Sequence, residues 1–479
     1  MYIRLAQKRA RPHLFGPVLL LLLASFSHAL IVIDGKIVTA WPDTGLGSMP
    51  TVGSSGLAKP AADTTPNIGL YPHPKGLVRG LTLVVDFSDQ SAAFSKAQVD
   101  DWLNLKGFNL NGMKGSVRDY YADISNGQVD FVNDVHGIYR AKQPKSYYEG
   151  GQGYARGDEF VAEVLAAFDA EVDFSQYDND KDGRTESISI VYAGTGQTWG
   201  QGLWPHAGGL NQKRDGVTIS RYMMTDMGTR YSLYVFCHEC GHMLFGWPDL
   251  YGVGDYCLMG NRMHETNPVP VNDFYRADQG WIPLTDIRAA DDLRLTAIPN
   301  GTGFRFQNPA RSQECFFWSN VANTGRWSFL KGRGILLWHF DKSIGNNDPP
   351  KPLSLAVVQA DGKKQLDTTY WPSPGSDAQD FFFGGHTDHF DAAGAPKAAW
   401  NNGQAADLKI YSIAPISDAM EFFVGKNPPS DIHSGNLRRS PWRKAFPYGD
   451  AHSPRDLLGR RLAEPDLEIG AKVIGKSDR

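Results

Sequence analysis

Residues 231–251 read YSLYVFCHECGHMLFGWPDLY, and this stretch carries most of the chemical information in the chain. Its spacing of apolar residues predicts a helix over 231–245. On that helix, His238 and His242 are four residues apart and share one face, so both can reach a single metal ion. Glu239 projects about 100° further round the helix, where a general base for a metal-activated water belongs.

A third metal ligand is expected just beyond the helix. Gly246 allows a sharp turn, and the returning chain can bring Asp249 toward the two histidines. The usual extended motif has its third ligand six residues after the second histidine, whereas Asp249 is seven residues after His242. The helix is therefore expected to extend one residue further. Three other residues stay open as alternative ligands: Asp255, His264 and Glu265.

Met259 and the four cysteines are further candidate residues of the site. Met259, within the sequence YCLMG at 256–260, is in position for a methionine turn below a metal, and an ordinary core methionine is the alternative. The cysteines are Cys237, Cys240, Cys257 and Cys315. We expect a Cys240–Cys257 disulfide first and Cys237–Cys315 second, with free buried thiols as the alternative. The C-x-x-C at 237–240 raises the possibility of a thiol oxidoreductase, but metal binding better explains the interleaved histidines.

These residues resemble the immune inhibitor A-like metalloproteases, a family of secreted zinc peptidases. Besides 238–251 and 256–259, the similar segments are 83–89 (LVVDFSD), 115–121 (GSVRDYY), 334–341 (GILLWHFD) and 358–362 (VQADG). The resemblance covers most of 75–425. It implies zinc at His238, His242 and Asp249, Glu239 as the base, and structural calcium. Members of the family often carry a long propeptide, and residues 30–65 are short for one.

The expected fold class is α+β. Strands are predicted at 80–87, 127–131 and 187–192, and helices from 115 and over 157–170. Beyond about residue 290, short apolar segments between turn residues predict a β-rich unit. With the resemblance, this gives a zincin-like (metzincin-like) catalytic domain at 66–290, built on the HExxH helix. A β-rich C-terminal domain follows at 291–425.

Both ends of the chain have their own composition. In residues 1–29, Arg and Lys precede an apolar run at 18–24. The small residues Ser27 and Ala29 then mark a cleavage site after Ala29, as in a secretory signal peptide. An uncleaved membrane anchor is the alternative. Residues 30–65 are expected to be a leader or short propeptide, and 426–479 a flexible basic tail. The protein is therefore expected outside the cytosol.

The charge distribution narrows the choice of partners. The chain has 48 Lys and Arg against 52 Asp and Glu, a net charge of −4. Residues 1–29 and 426–479 carry +4 each, so 30–425 carries −12 and a chain beginning at 30 would carry −8. An acidic body disfavours nucleic-acid binding. No other segment is long and apolar enough to span a bilayer. Protein or peptide substrates and a monomeric state are expected.

A second cation site is predicted at 178–186, which reads DNDKDGRTE. Acids at alternate positions followed by glycine match the first half of an EF-hand calcium loop. The position of the bidentate glutamate holds Ser189, so this is not a complete EF-hand. A structural calcium would use Asp178, Asp180, Asp182, the Arg184 carbonyl and Glu186. The alternative is a solvated acidic turn.

The sequence as a whole predicts a secreted zinc-dependent endopeptidase with Glu239 as general base. A catalytically inactive binding module on the same scaffold is the main alternative. Candidates for a second oxyanion donor are Tyr251, Tyr256 and His206, although each also suits a structural role. His339 and Asp341, at a strand end in the second unit, are expected to be structural.

Overall fold

A computed structural model describes most of the chain between residues 72 and 425. The described ranges are 72–150, 155–197, 202–260, 264–289, 291–299, 301–345, 352–366 and 375–425, together with the backbone of 31–33 and 36–38. The predicted signal peptide at 1–29, the rest of the 30–65 leader and the 426–479 tail lie outside these residues. The chain divides into the units Met1–Pro428 and Pro429–Arg479, and every described residue belongs to the first.

A mixed sheet organises the first part of this unit. Its strands are β1 (Ile31–Ile33), β2 (Lys36–Val38), β3 (Gly76–Asp86), β4 (Val129–Arg140), β5 (Arg184–Thr185), β6 (Ile188–Ala193), β7 (His206–Arg214) and β8 (Val217–Met227). The order across the sheet is β2-β1-β7-β8-β6-β3-β4, with β5 beside β8. Strands β4, β3, β6 and β8 run parallel, whereas β7 is antiparallel to β8. The buried runs of β3 and β6 are typical of strands covered on both faces.

Six helices are described. They are α1 (Lys96–Asn104), α2 (Val117–Ile124), α3 (Lys145–Tyr148), α4 (Ala155–Ala167), α5 (Leu233–Phe245) and α6 (Asp273–Asp278). Short 3-10 turns lie at Leu110–Gly112, Phe174–Tyr177, Tyr251–Val253, Gly325–Trp327 and Ala378–Asp380. α2 begins at a capping box in which Ser116 and Asp119 bond each other's backbone N–H groups.

Two apolar cores cover the faces of this sheet. α4 packs on one face, where Phe160, Val164 and Leu165 meet Leu83 and Ile190. α1, α2 and α5 contribute to the core on the other face. Because a parallel strand buries both faces, helices on both sides are needed to remove its apolar side chains from water.

The later strands form two further sheets. They are β9 (Leu284–Ile287), β10 (Leu293–Ala297), β11 (Gly303–Gln307), β12 (Glu314–Val321), β13 (Gly334–Asp341), β14 (Leu355–Val358), β15 (Ile410–Tyr411) and β16 (Met420–Val424). One sheet has the order β14-β13-β12-β11-β9 and the other β10-β16-β15. Side chains alternate along β12, so Phe317 joins the core that contains α5, while Phe316 and Trp318 join a third core with β16.

The architecture is therefore mixed, with helices and a largely parallel sheet, and is compatible with the expected α+β class. One apolar core runs through residues on both sides of position 290, including Phe274 and Phe317. The boundary between 66–290 and 291–425 stays a prediction. Among the described residues, no helix combines the length and apolarity needed to cross a membrane.

Candidate metal centre

Helix α5 carries the histidines and the glutamate of the central stretch. Ser232 caps its start, where the side chain accepts a hydrogen bond from Val235 N–H. All thirteen residues of the helix are buried. It ends at Gly246, whose φ of +67° is the left-handed conformation that glycine adopts without strain. The chain turns there and returns toward the face of the helix that bears His238 and His242.

Three side chains converge beyond this turn. The Nε2 atoms of His238 and His242 are 3.1 Å apart. Asp249 Oδ1 lies 3.1 Å from His238 Nε2 and 3.3 Å from His242 Nε2. All three residues are buried and could hold one metal ion. Asp255, His264 and Glu265 are not members of this group.

The donor set fits a transition metal such as zinc. Two imidazole nitrogens and a carboxylate are the ligand types found in catalytic zinc sites. The buried Asp249 Oδ2 atom has no hydrogen-bond partner among the described residues. Leaving a buried carboxylate oxygen unpaired is costly, and a cation at this position would satisfy it.

Backbone carbonyls orient both histidines. His238 Nδ1 lies 3.0 Å from Leu258 O, and His242 Nδ1 lies 2.6 Å from Trp247 O. A carbonyl only accepts hydrogen bonds, so each Nδ1 carries the proton and each Nε2 presents its lone pair to the centre. This is the tautomer that a metal-binding imidazole requires.

The surroundings affect the ionisation of His238 and Asp249. Burial lowers the pKa of His238, which favours the neutral imidazole. Burial alone would raise the pKa of Asp249, but the two adjacent histidines hold it down at about 2. These shifts favour a neutral His238 and an ionised Asp249, which are the forms that bind metals.

Glu239 lies next to this group but has a different environment. It is fully buried, and neither carboxylate oxygen has a hydrogen-bond partner among the described residues. Burial, reinforced by the negative charge of Asp249, raises its pKa well above the ordinary value. Its position next to His238 on the helix is where a general base for a metal-activated water belongs.

Met259 packs directly against α5. A Cβ atom at Gly241 would lie 2.8 Å from Met259 Sδ, closer than such atoms approach. Gly241 is therefore the position that lets the thioether reach the helix backbone. Leu250 N–H also donates to Met259 O at 2.7 Å, which joins the returning chain to the same turn.

The expected disulfides are not formed, and the prediction of a Cys240–Cys257 bridge is wrong for this structure. All four cysteines are free and buried. Cys240 Sγ lies 3.4 Å from Met223 Sδ, while Cys257 Sγ accepts hydrogen bonds from Met259 N and from Asn272. Burial raises the pKa of both thiols, so neither has the reactive thiolate of an oxidoreductase.

The three candidate oxyanion donors have separate surroundings. Tyr256 Oη donates to Asp380 Oδ2 at 2.7 Å. His206 is buried, with Nδ1 2.7 Å from Trp204 O and Nε2 3.0 Å from Tyr222 Oη. Burial, reinforced by the negative charge of Asp249, raises the pKa of Tyr251. Tyr251 is thus the one of the three whose pKa responds to a residue of the metal-binding group.

The acidic loop at 178–186 gathers its carboxylates as predicted. Ligand atoms of Asp178, Asp180, Asp182 and Glu186 lie within 4.8 Å of one another. Several of these oxygens accept backbone hydrogen bonds, including Asp178 Oδ2 from Gly183 N–H at 3.0 Å and Glu186 Oε2 from Asn179 N–H. Burial, with help from the charges of Asp180 and Asp178, raises the pKa of Glu186 to about 7.

His339 and Asp341 belong to a structural network, as expected. His339 Nε2 lies 3.0 Å from Glu314 Oε1, and Asp341 accepts hydrogen bonds from Arg311 and Asn401. Sequence reasoning overlooked Tyr234, whose hydroxyl lies beside His238. Its position one helical turn before His238 was a signal that could have identified it.

Comparisons with known proteins add no family to this description. No family model matches the chain, and no curated protein matches its sequence.

Proposed function

We propose that this protein is a secreted zinc-dependent endopeptidase of the zincin-like (metzincin-like) fold, related to the immune inhibitor A-like metalloproteases it resembles. One observation carries the proposal. Two imidazole nitrogens and a carboxylate oxygen converge within 3.3 Å of one another, beside a buried glutamate whose oxygens have no partner among the described residues. A purely structural histidine pair would not need this second, unsatisfied carboxyl group.

His238, His242 and Asp249 would hold the metal. Zinc at such a site acts as a Lewis acid and lowers the pKa of a water molecule to roughly 7. Leu258 O and Trp247 O keep the histidine lone pairs directed at the centre. Asp249 supplies a negative charge, and the burial of the site strengthens the interaction between that charge and a cation.

Glu239 would move the proton. It follows His238 on the same helix and is excluded from water, so its carboxylate can accept a proton from a water attacking a peptide carbonyl. The same carboxyl group then returns the proton to the leaving amine. Tyr251, whose pKa the charge of Asp249 raises, is the candidate hydroxyl donor that we assign to the oxyanion.

A casein or gelatin zymogram of the purified protein tests the activity, run with and without a zinc chelator. We expect a clearing band that the chelator removes and added zinc restores. A folded, zinc-loaded protein without proteolysis would instead support the inactive binding module. Proteolysis that survives complete zinc removal would contradict the metal assignment.

We also propose that the acidic loop binds a divalent cation, calcium being the best match for all-oxygen ligands. Four acidic residues with adjacent ligand atoms support this, and Asp178 is buried although the loop is otherwise largely exposed. The role we propose for this cation is structural.

The remaining assignments follow from the composition of the chain. We propose export through a signal peptide at 1–29, a leader or short propeptide at 30–65 and a basic tail at 426–479. Within the body, we propose a catalytic domain at 66–290 and a β-rich domain at 291–425. Mass spectrometry of the protein from culture medium tests export and the mature N-terminus.

A further inference from the structure

Tyr234 lies on α5 one helical turn before His238. It is 3% exposed, and its ring centroid lies 5.5 Å from that of His238. Its hydroxyl donates a hydrogen bond to Gly260 O at 2.6 Å. The same oxygen lies 3.3 Å from His238 Nδ1. The side chain therefore spans the gap between α5 and the turn that contains Met259.

The direction of these hydrogen bonds follows from the number of protons that the Tyr234 hydroxyl and the His238 ring can donate. A tyrosine hydroxyl has one proton, and here it goes to Gly260 O. Tyr234 Oη can then only accept from His238 Nδ1, which also faces Leu258 O at 3.0 Å. Two acceptors consequently hold the proton on Nδ1, and the lone pair of Nε2 faces Asp249 Oδ1.

We propose that Tyr234 is a positioning residue for the metal centre. Its hydroxyl holds the backbone at Gly260 against α5 and fixes both the tautomer and the ring orientation of His238. The inference rests on the metal-binding role proposed for His238, but it does not depend on what the protein hydrolyses. Partners of this kind typically change metal affinity by about 10–100-fold when they are removed.

The deciding experiment compares Tyr234→Phe with the matched variant Tyr120→Phe. Tyr120 is also fully buried, and its hydroxyl donates to a backbone carbonyl, Val269 O, at 2.8 Å. Both variants lose one buried hydroxyl and leave one carbonyl without its donor. Zinc affinity is measured by competition with a chromophoric chelator, and the stability of the metal-free proteins by chemical denaturation.

We expect zinc affinity to fall by about 10-fold in Tyr234→Phe, since Leu258 O still orients His238, and to stay unchanged in Tyr120→Phe. The visible spectrum of the cobalt-substituted protein should change only in Tyr234→Phe. Equal zinc affinities and spectra in the two variants would overturn the proposal. A wild-type protein that binds zinc but cleaves no peptide would contradict the proposed function alone, and one that binds no zinc would contradict both.

A measurement on the wild-type protein covers the case in which Tyr234→Phe fails to fold. Nitrogen-15 NMR of the metal-free protein reports which ring nitrogen of each histidine is protonated. We expect His238 to carry its proton on Nδ1, coupled to the Tyr234 hydroxyl. Protonation on Nε2 would overturn the proposed role of Tyr234.

Discussion

The histidine group on α5 and the acidic loop at 178–186 both bring several ligand atoms together, but they do so in opposite surroundings. His238, His242 and Asp249 are buried, whereas Asp180 and Asp182 in the loop are exposed. In the first group, Asp249 Oδ2 has no partner among the described residues. In the loop, backbone N–H groups of the same turn bond the carboxylates.

The difference shows why similar clusters of ligand atoms do not support equally strong conclusions. A buried charge without a partner destabilises the fold unless a further group binds it. Exposed carboxylates are solvated by water, and their backbone hydrogen bonds also stabilise a turn without any ion. The α5 group therefore requires a ligand much more strongly than the loop does.

The largest expected effect is on catalysis and distinguishes Glu239 from Glu186, whose pKa values burial raises. Glu239→Gln should lower the rate of peptide hydrolysis by about 10³-fold, because the general base is lost while the zinc ligands stay intact. Glu186→Gln, which removes the same charge from the loop, should leave the rate unchanged. Hydrolysis kinetics and zinc content measured on the same samples check this, and full activity of Glu239→Gln would exclude the mechanism.

The second prediction concerns the stability of the fold in acid and the buried residue His206. Burial lowers the pKa of His206 from 6.5 to about 4, so the unfolded chain binds a proton at a higher pH than the folded protein does. This stability is fully present above pH 6.5 and is lost as the pH falls toward 4. The loss amounts to about 3 kcal/mol at 1.36 kcal/mol per pKa unit.

Denaturant titrations between pH 7.5 and 4.5 measure that loss. The free energy of unfolding should depend less on pH in His206→Gln than in the wild type. Identical slopes for wild type and His206→Gln would show that His206 does not contribute.

The third prediction compares one carboxylate from each region. Asp249→Asn should reduce zinc affinity by more than about 100-fold, since even indirect partners of a ligand cost 10–100-fold. Asp182→Asn should have no effect on zinc. Competition titrations with a chelator give both values. If the loop variant lost zinc and the Asp249 variant kept it, the assignment of the two regions would have to be exchanged.

The smallest effect is expected from calcium. A single calcium bound by the loop should stabilise the chelated protein by about 1.4 kcal/mol at a free concentration ten times its dissociation constant. Asp178→Asn should abolish the gain, because Asp178 is the buried member of the group. Chemical denaturation with and without calcium measures it, and an unchanged wild-type curve would favour a simple solvated turn.

The local spacing of apolar residues predicted the helix and the strand around the metal centre well. The helix expected over 231–245 corresponds to α5, which spans Leu233–Phe245, and the strand expected at 187–192 corresponds to β6. α6 was not predicted, because its six residues are too few to show a helical pattern. It buries Asp273 and Arg276, which bond each other, Ser319 Oγ and Ile124 O. Those partners are distant in sequence, so only tertiary contacts reveal why polar residues are inside.

The sequence by itself determined which residues on α5 can share a face, because helical periodicity is a local property of the backbone. It also supplied Gly246 as the point where the helix ends. Tertiary structure alone decided that Asp249 joins the histidines rather than Asp255, His264 or Glu265, and that Cys240 meets Met223 rather than Cys257. It also decided which nitrogen of each histidine is free to bind, since that depends on carbonyls and on a hydroxyl brought to the ring by folding. Distances between residues remote in sequence depend on packing, and periodicity contains no information about them.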